Sequence, residues 1–312
     1  MHSNVIYDQP RQLMGRLSNL HGIICMVLAM GLFIGSDSAS KFAMRDVPIF
    51  QMIFLRGMAS SLLCLILLVA MDYGRDLKMM LNPWALARGL CEVVANFSFT
   101  YAILHMPIAD VTAIAQTCPL LVLVGAKLIW REHLGLSRWL LIALGISGAL
   151  LVAQPGTTAA SPYAVFGFFV ALSAATRDLI TRKVPRDIPA PVVAFSVLVI
   201  LMLAGGAGMV ISETPVFPDW HDVGLISLAA ALMVGGHTGI FLAYKIGPLR
   251  SVAPFMYALT LWAVLAGAVL FGDRPNLLAV IGMALILTAG LMVIYADSRQ
   301  RPSALKGRPV TS

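Results

Sequence analysis

The chain has 312 residues, 59% of them hydrophobic and only 12% charged, with a formal net charge of +7. Charged residues are at about half the ~25% usual for a soluble domain, which excludes burial of the apolar residues in a single water-soluble core. A lipid bilayer is the solvent this composition fits, and no connecting loop is long enough to hold a soluble domain.

In chain order, a polar, basic tail runs to about residue 20 and reads as cytoplasmic. Ten apolar spans follow, at roughly 22–44, 49–71, 83–104, 109–130, 136–153, 162–184, 190–211, 222–245, 250–271 and 276–296. Each is long enough for a tilted membrane helix, which needs roughly 20 residues. Breaks fall at Pro48, Asn82-Pro83, Pro107, Gln154-Pro155-Gly156, Pro189, Pro218, Gly247-Pro248 and Pro275. The first apolar run reads as a retained span, not a cleavable signal peptide, because it carries a residue of the repeat described next. Cys25, Cys64, Cys91 and Cys118 sit singly inside apolar runs and read as packing residues.

A duplication organises the chain. Asp37, Lys41, Arg45, Asp46 and Pro48 recur in kind as Asp178, Arg182, Arg186, Asp187 and Pro189, each 141 positions later (178 − 37). The same offset takes Pro107 to Pro248 and Glu132 to Asp273. A constant offset over that distance marks a repeated unit. The expected units are 21–156 and 157–296, flanked by cytoplasmic tails 1–20 and 297–312. Five spans per unit make the second unit enter the membrane upside down, an arrangement typical of secondary transporters. The expected fold is therefore an all-α integral membrane protein of ten transmembrane helices in two inverted five-helix repeats.

Orientation follows from basic residues in the loops. With the N-terminus inside, Arg75, Lys78, Arg131, Arg138, Arg182, Lys183, Arg186, Lys245 and Arg250 join the tail residues on the cytoplasmic side. Only Lys41, Arg45 and Arg274 face out. The bias accounts for the net charge, so nucleic acid is not needed as a partner, and both termini are expected in the cytoplasm.

Charges left within spans are expensive and are functional candidates by default. They are Asp37, Arg56, Arg88, Glu92, Lys127, Arg177 and Asp178. Lys127 lies near the inner end of its span and reads as snorkelling to water; Arg88, at the start of its own, could do the same. Arg88, Glu92, Asn96 and Thr100 follow at four-residue spacing, so they share one helix face. That stripe either lines a central cavity, with Glu92 binding substrate or carrying a proton, or it holds a local Arg88–Glu92 pair that packs helices. The repeat partner of Asn96 is His237, and that of Gln116 is Tyr257, so Glu92, Asn96, Gln116, His237 and Tyr257 form the substrate or coupling set. Asp37 and Arg56 are expected to pair in the outer half. Arg177 and Asp178 are their inner counterpart, although neighbours in sequence do not face each other on a helix. These four, with Arg88, read as gating or buried ion pairs. Pro119 and Pro254 are bending points that free carbonyls beside a cavity. Glu132 and Asp273 read as acids that order loops. Gly145-x-x-x-Ala149 and Ala284-x-x-x-Thr288 permit close helix packing, inside the protein or in a homodimer.

Several stretches together carry a family likeness: Leu104-His-Met-Pro107-Ile-Ala-Asp110-Val-Thr112, then Pro119, Trp130-Arg131-Glu132, Gly145-x-x-Gly148 and Gln154-Pro155-Gly156. With the ten spans, they resemble the drug/metabolite transporter superfamily, in particular its EamA-type members, over about residues 20–296. The resemblance implies a carrier of small metabolites, amino acids or drugs in the bacterial inner membrane, with a central cavity, no cofactor and no metal. A narrower likeness, in Asp37 with Lys41, Arg88-Gly-Leu-Cys91-Glu92 and Ala174-Ala-Thr-Arg177-Asp178, is to bacterial riboflavin importers. It implies riboflavin uptake, for which Tyr101, Tyr257 and Trp262 offer rings. S-adenosylmethionine uptake and export of amino acids, metabolites or drugs remain alternatives, as does a membrane receptor or scaffold. No phosphate-binding loop and no His-Glu-x-x-His set occurs, and His221-Asp222 with His237 makes no catalytic cluster, so an enzyme is not expected.

Overall fold

A computed structural model describes residues 9–131, 135–154, 161–185 and 187–300. Glu132, Pro155, Gly156 and Arg186 lie outside the described residues, as do residues 1–8 and 301–312 of the two tails. The described residues form helices and no strand.

Ten helical elements follow the predicted spans: α1 Gln9–Ala43, α2 Ile49–Ala70, α3 Pro83–His105, α4 Ile108–Ala115 continued by Cys118–Trp130, and α5 Leu136–Ala153. The second set is α6 Ala164–Thr181, α7 Ala190–Ser212, α8 Trp220–Ile246, α9 from Leu249 to Phe271 in four short turns, and α10 Leu277–Gln300. Nine described spans are long and apolar enough to cross a membrane. The tenth helix, α3, has the length at 23 residues, but Arg88, Glu92, Asn96 and Thr100 interrupt its apolar run. Starts are set locally: Asn82 accepts a hydrogen bond from the Trp84 amide ahead of α3, with Pro83 in its first turn. Asp219 caps α8 in the same way, through the amide of Asp222. The first helix starts well before the predicted boundary and runs 35 residues, so the expected tail is helical from Gln9.

The packing is the duplication made physical. The main pairs are α1 on α8, α3 on α6, α2 on α7 and α5 on α10. Moving each helix to its repeat partner turns α1·α8 into α6·α3 and returns the other two pairs to themselves, as a two-fold exchange of halves requires. Small features repeat too. The helices α4 and α9 end in left-handed residues at matched positions, Arg131 (φ 54) and Gly272 (φ 70). Lys41 lies over the Phe271 ring at 4.7 Å, and its repeat partner Arg182 lies over Trp130, the repeat partner of Phe271, at the same distance.

The α5·α10 crossing depends on two glycines. A Cβ on Gly148 would sit 2.7 Å from the Gly282 carbonyl oxygen, and one on Gly282 would sit 2.5 Å from that of Gly148. Gly145 packs beside them, against Leu120 and Ala289. The small residues of α5 therefore serve packing within the chain. Ala284 and Thr288 are both exposed, so within the chain α10 meets α5 through Gly282, Ile286 and Ala289.

Candidate functional site

A cavity of about 670 Å³ opens at the end where α2 and α8 finish and α3 and α7 begin. That volume lies in the ~300–1,000 Å³ range of small-molecule sites. One wall is the α8 face: Val234, His237, Thr238, Phe241, Tyr244 and Lys245. Opposite stand Leu67 and Leu68 of α2, Met71 and Tyr73 just beyond it, Arg88 of α3, and Ala190, Ala194 and Leu198 of α7. His237 is thus on the wall, held edge-on by Phe33 with ring centroids 5.0 Å apart. Arg88 was also a candidate from the sequence, whereas Tyr73, Thr238, Phe241, Tyr244 and Lys245 were not singled out as wall residues. Their signal was present: 234, 237, 238, 241, 244 and 245 share a helix face by the same spacing rule that revealed the α3 stripe.

The α3 stripe does face protein, but it divides among partners. Arg88 Nε donates to Thr181 Oγ1 of α6 at 3.1 Å. The Glu92 carboxylate takes Arg177 of α6 at 2.9 Å, so the helix-packing pair is Glu92–Arg177 and not Arg88–Glu92. The reason is reach: a long arginine from a neighbouring helix approaches Glu92 head-on. Arg177 Nε also meets Asp178 Oδ1 at 2.8 Å, which corrects the expectation that these neighbours cannot face each other. Their Cβ atoms diverge, but the arginine stem is long enough to fold back. Cys118 completes the cluster by donating to Asp178 Oδ2 at 3.7 Å.

Asn96 accepts from Arg56 Nη2 at 3.3 Å. Arg56 is buried in α2; it also donates to Ser40 Oγ at 3.0 Å and lies 3.8 Å from Asp37 Oδ1. The anticipated Asp37–Arg56 pair is therefore formed. The two repeats build one local pattern: Ser40 Oγ donates to the Ser36 carbonyl and receives an arginine, while its partner Thr181 donates to the Arg177 carbonyl and receives Arg88.

Away from the cavity, the other end is shut. Glu213 accepts from the amides of Phe50 and Gln51 at 2.9 Å each, joining the end of α7 to the start of α2. Gln51 and Val216 exchange two further hydrogen bonds. Lys41 reaches the Met106 carbonyl at 3.3 Å. The Gln154 and Asn276 side chains bond reciprocally. Beneath these contacts lies the largest apolar core, which includes Met52, Ile103, Ile108, Ile114 and Ile286.

Other candidates sit elsewhere. Gln116 Nε2 donates to the Met256 carbonyl at 3.4 Å, beside its repeat partner Tyr257. Tyr257 is buried against Gly290 of α10 and does not line the cavity. Tyr101 joins a ring cluster with His105, Tyr163 and Phe166, and Trp262 donates to the Val27 carbonyl, so both pack helices. Pro119 opens the second segment of α4 after its break at Gln116-Thr117, and Pro254 lies in the 3₁₀ turn Ala253–Tyr257 of α9. Both prolines thus mark real interruptions. Lys127 lies over the Trp139 ring. Asp273 Oδ2 is buried without a hydrogen-bond partner, and its partner Glu132 is not described.

Ten helical elements among the described residues, in two exchange-related halves with a cavity open at one end, define a polytopic membrane architecture. Residues 20–154 match the EamA-like transporter family, and over that stretch the chain is similar to the EamA-type drug/metabolite transporters. An S-adenosylmethionine uptake transporter of Rickettsia prowazekii is 25% identical, the match covering 91% of this chain and 96% of that protein. A riboflavin transporter of Rhizobium johnstonii is 27% identical over 70% of this chain and 72% of its own. A pseudopaline exporter of Pseudomonas aeruginosa is 24% identical over 86% and 94%. A solved crystal structure at 21% identity, covering 91% of this chain and 99% of its own, has a TM-score of 0.59 and shares the fold.

Proposed function

We propose that the chain is a secondary transporter that moves a small organic solute across a bacterial inner membrane by alternating access. The observation that carries this reading is that two ends built from repeat-matched parts are closed unequally. In an inverted repeat each half can adopt the conformation of the other, so the exchange of ends is the transport cycle. The loop bias of Lys and Arg puts the open end in the cytoplasm. The repeat offset then names the contacts of the opposite state. Glu213 corresponds to Asp72 and Gln51 to Val192, so Asp72 caps the start of α7 when the cytoplasmic end shuts. Lys41 and Met106 correspond to Arg182 and Gly247, so Arg182 then reaches the Gly247 carbonyl.

Glu92, held by Arg177 beside the cavity, and His237, on its wall, are the coupling candidates. Asp37, Arg56, Arg177 and Asp178 hold the two ends in register. Riboflavin is the first cargo to test, because of the likeness in the Asp37, Glu92 and Arg177 segments and the similarity to a riboflavin transporter. S-adenosylmethionine is the second, because that similarity spans nearly the whole chain. The test is rescue of a riboflavin-auxotrophic bacterium at limiting vitamin, paired with uptake of labelled riboflavin and S-adenosylmethionine into proteoliposomes. Rescue with saturable riboflavin uptake supports vitamin import, and S-adenosylmethionine uptake alone redirects the cargo. No counterflow of any tested metabolite overturns the carrier reading in favour of a receptor or scaffold.

A further inference from the structure

The fixed charges on the cavity wall are both cationic, Arg88 and Lys245. These two bring only donors to it, the His237, Tyr73 and Tyr244 side chains can donate or accept, the Thr238 hydroxyl already donates to the Val234 carbonyl, and no carboxylate or carboxamide lines it among the described residues. The nearby acids are already engaged: Glu92 and Asp178 both bind Arg177, and the second oxygen of Asp178 receives Cys118. Arg88 spends only its Nε, on Thr181. Its two terminal amino groups have no partner among the described residues, and neither have the ring nitrogens of His237. The other surface of the cavity is apolar, from Leu67, Leu68, Leu198 and Phe241.

We propose that the cavity takes an amphipathic organic anion, whose carboxylate or phosphate docks on Arg88 with support from Lys245 while its apolar body lies against Leu67, Leu198 and Phe241. An arginine with both terminal amino groups open is a two-pronged receptor for such a group. An uncharged solute, riboflavin included, would leave those donors desolvated and unpaired, which weighs against the first cargo named above. A cation would face Arg88 and Lys245 with no carboxylate among the described wall residues. This rests on the reading of the cavity as the solute chamber, and it makes Arg88 the residue that sets charge selectivity.

The test uses the full chain in detergent and three probes with one ring system: 1-naphthoate, 1-naphthyl phosphate and 1-naphthylmethylammonium. Binding is measured by titration calorimetry, without transport. At least one anion is expected to bind about tenfold or more tightly than the ammonium, the size of a charge-assisted hydrogen-bond pair. The order of the two anions tells carboxylate from phosphate. R88Q is expected to abolish the preference, R88K to keep part of it, and K245Q to weaken the anions about threefold. If R88Q does not yield monodisperse protein, R88K and K245Q decide. Equal or tighter binding of the ammonium, no binding of any probe, or an undiminished preference in the variants overturns the proposal. A protein that discriminates the probes but moves nothing in proteoliposomes keeps this inference and loses the transport reading; one that transports cations does the reverse.

Discussion

The two ends of the molecule are made from the same parts and differ in what those parts touch. At the closed end, α1, α2 and α7 are tied by Glu213, Gln51 and Lys41 over a continuous apolar core. At the open end, the apolar residues fall into separate groups, around Met26 and Met30 and around Leu68 and Phe195, with the cavity between α2, α7 and α8. Yet the same cation–ring contact caps each end, Lys41 on Phe271 and Arg182 on Trp130. On the alternating-access reading, the duplicated contacts are those that hold in both states. The unduplicated ones, Glu213 on α2 and Lys41 on the Met106 carbonyl, are those that the proposed cycle would break.

The largest effect is expected from the buried charge at the closed end. Arg56→Ala leaves Asp37 with no counter-charge in a lipid-surrounded interior, which costs about 3–5 kcal/mol for a buried pair broken on one side. Thermal unfolding in mixed micelles checks this; an unchanged midpoint would mean that Asp37 and Arg56 do not hold that end together. Glu92→Gln is expected to abolish or uncouple uptake in proteoliposomes while membrane insertion stays normal. Wild-type uptake by that variant across the pH range would remove Glu92 from the mechanism.

A sharper comparison sets Glu213→Ala against Asp72→Asn. The first loses a helix cap worth about 1 kcal/mol and shifts the population about fivefold toward outward opening. The second weakens the corresponding cap of the other state and shifts it the other way; Asn suits the left-handed backbone of Asp72 (φ 63). Labelling of a cysteine placed at buried Ser60 by an impermeant maleimide reads the shift, and equal signs for the two variants would refute the exchange. The smallest effect is expected from Lys41→Met, which removes a half-buried cation–ring contact and the bond to the Met106 carbonyl, about 1 kcal/mol, seen as slightly faster labelling of the same cysteine from outside.

By itself the sequence determined the helical membrane fold, the span positions, the duplication and the residues that must avoid lipid. It could do so because a bilayer penalises every buried charge and unpaired backbone group, which writes spans and polar stripes into the chain as local periodicity. Only the tertiary structure decided who partners whom: Arg177 on Glu92, Asn96 on Arg56, Tyr257 against Gly290 and not in the cavity, and Gly148 on Gly282. Those choices depend on which helix stands opposite at a given depth and on how far an arginine stem can bend, and neither is recorded in residue spacing. The unequal closure of the ends is likewise tertiary, because one duplicated sequence is compatible with either end being the open one.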